Sequence, residues 1–110
     1  GRPAEDGGRI VNVIARPAIE PAGGMLAYST SKAAVASLTQ CLAKEVVGDG
    51  ILVNAVAPSI MDTPANRAAM PDADFDAWPK VEEVARTMVW LASPANALTT
   101  GTLVPVYGHA

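Results

Sequence analysis

The sequence holds one cysteine, one histidine and one phenylalanine, and aromatic residues make up only 5% of its 110 residues. A lone Cys41 cannot form an internal disulfide, so a reducing, cytoplasmic setting is expected. Placed among apolar residues in the middle of a helical pattern, Cys41 reads as a small buried hydrophobe rather than as a thiol nucleophile. Positive charge is also scarce: 8 Lys and Arg stand against 11 Asp and Glu, a net charge of −3. That balance leaves no electrostatic footprint for nucleic acid. No apolar run reaches transmembrane length and nothing at the start reads as a signal peptide, so no membrane partner is expected. Charged residues of all kinds are only 17%, whereas half of the chain is hydrophobic. Disorder is thereby excluded as the main state, and one modest domain is expected. An initiator methionine is missing as well. Gly1 to Gly8 reads as a loop delivering the chain into a strand, and a fragment of a longer protein is expected.

What is present alternates strand and helix. Arg9 to Ile14 opens a strand in which only Asn12 is polar after the arginine, and a run apolar on both faces suits a parallel sheet covered on each side. Ala15 to Gly24, with two prolines and two glycines, is loop. Met25 to Val47 reads as a long helix whose apolar residues (Ala33, Ala34, Val35, Leu38, Leu42, Ala43 and Val46) form a stripe wide enough to bury more than one side. Gly48-Asp49-Gly50 stops it. Ile51 to Val56 is a second buried strand, ended by Ala57-Pro58-Ser59.

Beyond it, Thr63 is a cap candidate and Pro64 fits the first position of a short helix that ends by Pro71. Asp72 to Trp78 reads as a mobile, partly amphipathic loop. Its aspartates lack the glycine turn and terminal glutamate of a calcium loop, so no metal site is expected. Lys80 to Ser93 is the second long helix, with Val81, Val84, Ala85, Met88, Val89 and Leu91 inward. Thr102 to Val106 is a last strand, and Pro105 puts it at the sheet's edge. With right-handed crossovers, the order strand, helix, strand, helix, strand gives a parallel three-stranded α/β unit.

The stretch Tyr28-Ser29-Thr30-Ser31-Lys32 stands at the start of the first long helix. Residues four apart share a face about one turn apart, which brings a phenol and an ammonium into one patch of space. A free tyrosine ionises near pH ~10, and a neighbouring cation favours the phenolate. A tyrosine so placed can serve as a proton donor or acceptor.

Several motifs, in order, resemble the C-terminal half of the short-chain dehydrogenase/reductase family. Gly8-Arg9-Ile10-Val11-Asn12-Val13 resembles the strand before that family's active site, and Tyr28 to Val35 its Tyr-x-x-x-Lys helix. Val53-Asn54-Ala55-Val56-Ala57-Pro58 resembles the strand whose end holds nicotinamide. Leu91-Ala92-Ser93 and Thr100-Gly101 resemble the closing helix and turn. The resemblance implies half of a Rossmann-type doubly wound parallel sheet, with three parallel strands and two long helices. It also implies an NAD(P)H-dependent oxidoreductase, the choice between the two nucleotides left open. Tyr28 and Lys32 would be catalytic, Lys32 also holding the ribose hydroxyls. Ile14, Pro58, Ser59, Ile60 and Thr63 would bed the nicotinamide, with residues 60–80 as the substrate-side loop. The corresponding helix in the family packs against its copy, so a homodimer or homotetramer through residues 25–47 is expected.

Two departures from the pattern bear on function. No Gly-rich phosphate loop precedes residue 9. The family's serine, thirteen residues before the tyrosine, is here Ala15, and no Ser or Thr occurs between Ile10 and Ala27. An alanine at that position, together with the block Asp62 to Trp78, resembles the dihydropteridine reductases of the family. Their quinonoid substrate is already electrophilic and does not call for a second hydroxyl to polarise it. A pre-activated small-molecule substrate is therefore the first expectation. A general carbonyl or 3-oxoacyl reductase is the alternative, with Ser59 or a residue outside this chain replacing the serine. A catalytically silent assembly subunit is the third.

Overall fold

A computed structural model describes residues 7–110. The loop expected over residues 1–8 falls largely outside the described residues. Strand β1 (Arg9–Val13), helix α1 (Leu26–Val46), strand β2 (Leu52–Pro58), helix α2 (Pro64–Ala69), helix α3 (Val81–Ala92) and strand β3 (Leu103–Val106) follow in order. The three strands form one parallel sheet in the order β1-β2-β3, with Ile10 opposite Val53 and Val56 opposite Val104. β3, which carries Pro105, is an edge strand as its proline requires. The second strand runs two residues further than the sequence pattern suggests, through Pro58. Pro58 can end the ladder because it pairs with the edge strand opposite Val106.

β2 is buried at all seven positions because a helix covers each of its faces. Side chains alternate between faces along a strand. Asn12 leaves one face of β1 and donates to Thr39 Oγ1 of α1 at 3.0 Å. Arg9, of opposite parity, reaches the carbonyl of Asn96, just past α3, at 3.0 Å. The two helices therefore lie on opposite faces. Two crossovers that step the same way across a sheet but over opposite faces have opposite hands. The expectation that both are right-handed thus fails for one of them.

Small residues set how closely α1 approaches. Ala36 meets Ala55 and Ala57 of β2 in a cluster with Ile14. The fully buried Thr39 and Asn54 are paired: Thr39 donates to the Val35 carbonyl, and Asn54 binds the backbone at Thr99 and Thr102. The Asn54 contacts fix the approach to β3, since an unpaired amide at the centre of the sheet would be costly. Gly50, at φ +74°, turns the chain out of α1 in a left-handed conformation that other residues rarely adopt.

Several burial expectations are corrected. Cys41 is exposed, since the face of α1 that carries it points away from the sheet. Leu38 is exposed for the same reason. On α3 only Val84 and Leu91 are buried, with Met88 partly so, a single stripe at i, i+4 and i+7. Val81, at the first position of the helix, and Ala85 and Val89, off that stripe, are exposed.

Candidate active site

The site forms where β1 and β2 end side by side. Ile14 N donates to the Val56 carbonyl at 2.9 Å, carrying the ladder one residue beyond β1. Ile14 is buried against α1, and Ala15 after it is 7% exposed. The chain then turns through a single 3-10 turn, Arg16–Ala18, and returns to start α1. Tyr28 lies in the first turn of α1 and is 46% exposed. Its partner one turn on, Lys32, is half-buried. The Lys32 Nζ stands 5.8 Å from the Tyr28 ring centroid and 3.5 Å from the Val13 carbonyl at the end of β1.

A cavity of about 760 Å³ opens at this end of the sheet. Ala15, Tyr28, Ser59 and Ile60 line it, so four of the residues singled out from sequence come together. Ile14, Lys32, Pro58 and Thr63 do not line it. Ile14 and Pro58 are buried in the sheet end beneath. Thr63 instead caps α2: its Oγ1 accepts from Asn66 N at 3.1 Å, with Pro64 at the first helical position. Ser59 donates its hydroxyl to the Tyr107 carbonyl at 3.0 Å. Met25, Met61, Asn66, Arg16 and Glu20 also line the cavity. Met61 and Asn66 fall within the substrate-side loop 60–80 expected from sequence, whereas Met25, Arg16 and Glu20 were not singled out, the one local signal being the position of Arg16 directly after Ala15.

The segment 60–80, which contributes Ile60, Met61 and Asn66 to the cavity, is cross-linked by ion pairs and ring packing. Asp62, with a side chain 8% exposed, receives Arg67 Nε at 2.6 Å, Arg67 Nη2 at 2.8 Å and Lys80 Nζ at 2.6 Å. Those charge-assisted bonds, Arg67 first and then Lys80, hold its carboxyl well below the usual carboxylate range. Asp62 also bridges Lys80 in parallel register, its N–H meeting the Pro79 carbonyl at 2.9 Å. The Arg67 guanidinium lies 4.6 Å over the Phe75 ring, and Phe75 packs at 5.0 Å against the buried Trp78. Asn66 Nδ2 ties back to the Met61 carbonyl at 2.8 Å, so two lining residues are fixed to each other.

Cavities of this size hold small molecules, and in open α/β sheets ligands bind outside the carboxyl ends of the strands. Among the described residues, no helix is long and apolar enough to cross a membrane.

Comparisons with known proteins agree with this geometry. A family profile described as Enoyl-(Acyl carrier protein) reductase matches residues 2–108. L-xylulose reductase of Caenorhabditis elegans is 35% identical over 92% of this chain and 44% of its own length. The 3-oxoacyl-[acyl-carrier-protein] reductase of Thermotoga maritima is 36% identical over 92% of this chain and 44% of its own length. Dihydropteridine reductase of Dictyostelium discoideum is 37% identical over 89% of this chain and 44% of its own length. Acetoin dehydrogenase from Enterobacter cloacae superposes with a TM-score of 0.81 at 36% identity, over 96% of this chain and 43% of that one. A putative 2-deoxy-d-gluconate 3-dehydrogenase from Agrobacterium tumefaciens with bound NADP superposes with a TM-score of 0.83 at 30% identity, over 93% of this chain and 46% of that one. The chain spans less than half the length of the curated relatives it matches. A sheet with its cavity at the strand ends, the Tyr28–Lys32 step and these matches agree: the chain belongs to the short-chain dehydrogenase/reductase family.

Proposed function

We propose that the complete protein is an NAD(P)H-dependent reductase of a pre-activated C=N or quinonoid substrate, such as a quinonoid dihydropterin, with Tyr28 as the proton donor. The observation that carries this is the pairing of Tyr28 with Ala15 in one cavity. Ala15 offers no hydroxyl to polarise a carbonyl. The neighbouring hydroxyl of Ser59 already gives its proton to the Tyr107 carbonyl. A substrate that is already electrophilic suits such a cavity.

The residues present fit the nicotinamide end of a dinucleotide. Lys32, half-buried on α1 beside the end of β1, would hold the ribose hydroxyls, and Ser59 and Ile60, which line the cavity just past β2, would bed the nicotinamide. When bound, the nicotinamide supplies a hydride. Tyr28 then gives its phenolic proton to the substrate atom that gains electron density, and Lys32 steadies the negative charge left on the oxygen. Met25 and Met61 line the same cavity with apolar surface.

A second reading is supported by the 3-oxoacyl reductase relative at 36% identity. Steady-state assay of the complete enzyme with NADH and NADPH separates the two. A quinonoid dihydropterin should give the higher kcat/KM. A 3-oxoacyl thioester turned over faster would reverse the assignment.

A further inference from the structure

One wall of the cavity is polar, and the proton transfer at Tyr28 makes no use of it. Arg16 opens the 3-10 turn after β1, Glu20 lies four residues on, and both side chains line the cavity. They are bonded to each other through Arg16 Nε and Glu20 Oε2. The guanidinium is held on two further sides: it lies 4.4 Å over the Tyr107 ring, and its Nη1 donates to the Ala110 carbonyl at 2.7 Å. The Arg16 and Glu20 side chains are 39% and 54% exposed, and these contacts hold the guanidinium as a planar fork at the cavity wall.

The pair presents two kinds of group side by side. A guanidinium carries five N–H donors and no acceptor, and a carboxylate carries acceptors only. The contacts just named occupy Nε and one hydrogen of Nη1, so donors remain on the guanidinium, and acceptor sites remain on Glu20. The pair is neutral as a unit. An anionic ligand edge would meet Glu20, and a cationic one would meet Arg16, each at the cost of like-charge repulsion. A neutral edge with a donor beside an acceptor suits both.

We infer that Arg16 and Glu20 are specificity-determining residues that read a planar, neutral donor–acceptor edge, that of a lactam or lactam–amidine heterocycle. Both protein groups are planar forks, and a planar ligand edge can meet them in register. The freely turning hydroxyls of a polyol draw no such benefit. The inference deepens the pterin-like reading of the cavity and rests on it: the reacting bond lies at Tyr28 and the recognised edge at Arg16 and Glu20.

The test uses the complete enzyme and its Glu20→Gln, Arg16→Met and Arg16→Lys variants, with folding checked by thermal unfolding. Two substrates are compared, a quinonoid dihydropterin and a small quinone without nitrogen. Losing a hydrogen bond to a charged group should lower the kcat/KM ratio of pterin to quinone by about tenfold or more, mainly through KM. Arg16→Lys should restore only part of it, because an ammonium lacks the fork. Binding of an oxidised pterin, followed by fluorescence without nicotinamide present, should weaken by a similar factor in Glu20→Gln and Arg16→Met. Equal losses on both substrates, or unchanged pterin binding by folded variants, would overturn the inference. Failure of the unaltered enzyme to reduce either substrate would sink the proposed function instead, and the binding measurement would still decide the role of Arg16 and Glu20.

Discussion

Lys32 Nζ lies 5.8 Å from the centroid of the Tyr28 ring, one helical turn along α1, and within 3.5 Å of the carbonyl that ends β1. The helix supplies the spacing and the strand end supplies the anchor. A lysine tethered to the sheet in this way is held beside the phenol, and Tyr28 itself lines the cavity.

Removing the phenol should therefore separate chemistry from binding. In the complete enzyme, Tyr28→Phe should lower kcat by about 100- to 10,000-fold, the usual scale of a general acid. Cofactor affinity, measured by fluorescence titration, should hardly change. Lys32→Ala should damage both kcat and cofactor affinity. A Tyr28→Phe enzyme with near-normal kcat would place the proton source elsewhere.

Ala15 offers a test of substrate class. Ala15→Ser would restore a hydroxyl at the buried end of β1, facing the same cavity as Tyr28. If the natural substrate is already activated, its kcat should stay roughly the same while weak turnover of simple ketones rises. A large gain on the natural substrate would mean that carbonyl polarisation had been the missing step.

Much of this arrangement was legible in the sequence because it is local. The Tyr28–Lys32 step, the buried run of β2, the Thr63–Pro64 cap and the Gly50 stop each depend on residues within a turn or a strand of one another. The polar wall of the cavity was not legible. Arg16 meets Tyr107 and Ala110 across most of the chain, and no periodicity links such positions. Burial on the helices was half legible: apolar period identifies a stripe, but it does not say how much of a wide stripe the sheet will cover. Cys41 and Val89 were misjudged for that reason.

The Asp62 clamp predicts a pH dependence. Its carboxyl is depressed in the folded chain by hydrogen bonds from Arg67 and Lys80. A depressed carboxylate contributes stability that is fully present above its unfolded value, near pH ~4, and is lost as pH falls through the folded value. Thermal unfolding followed from pH 6 to pH 2 should thus show a steeper loss below pH ~4 in the unaltered protein than in Asp62→Asn. Identical slopes would mean that the clamp does not couple to folding. Above pH 5 the variant should be the less stable of the two, since it leaves Arg67 and Lys80 without their shared partner.

The final prediction concerns assembly. Leu38 is 57% exposed, Cys41 is exposed beside it, and Leu42 is half-buried, so α1 carries apolar residues on a face that the sheet does not cover. The stretch is continuous along the helix, at the i, i+3 and i+4 spacing that suits packing against a second helix. A second copy of the same helix, related by a two-fold axis, would bury these positions on both chains at once. β1 is also an edge of the described sheet, with one side of its backbone unpaired by any strand, and such edges recruit other chains. The complete protein is expected to be a homodimer or homotetramer built on α1, and the 110-residue chain by itself to self-associate. Leu38 is more exposed than Leu42, which makes it the more informative position to substitute. Leu38→Glu should shift the complete protein toward monomer in light scattering, with α/β circular dichroism retained, because the position contributes little to its own core. A stable, monodisperse monomer before any substitution would refute the assembly. An unchanged oligomer after Leu38→Glu would move the interface to another face.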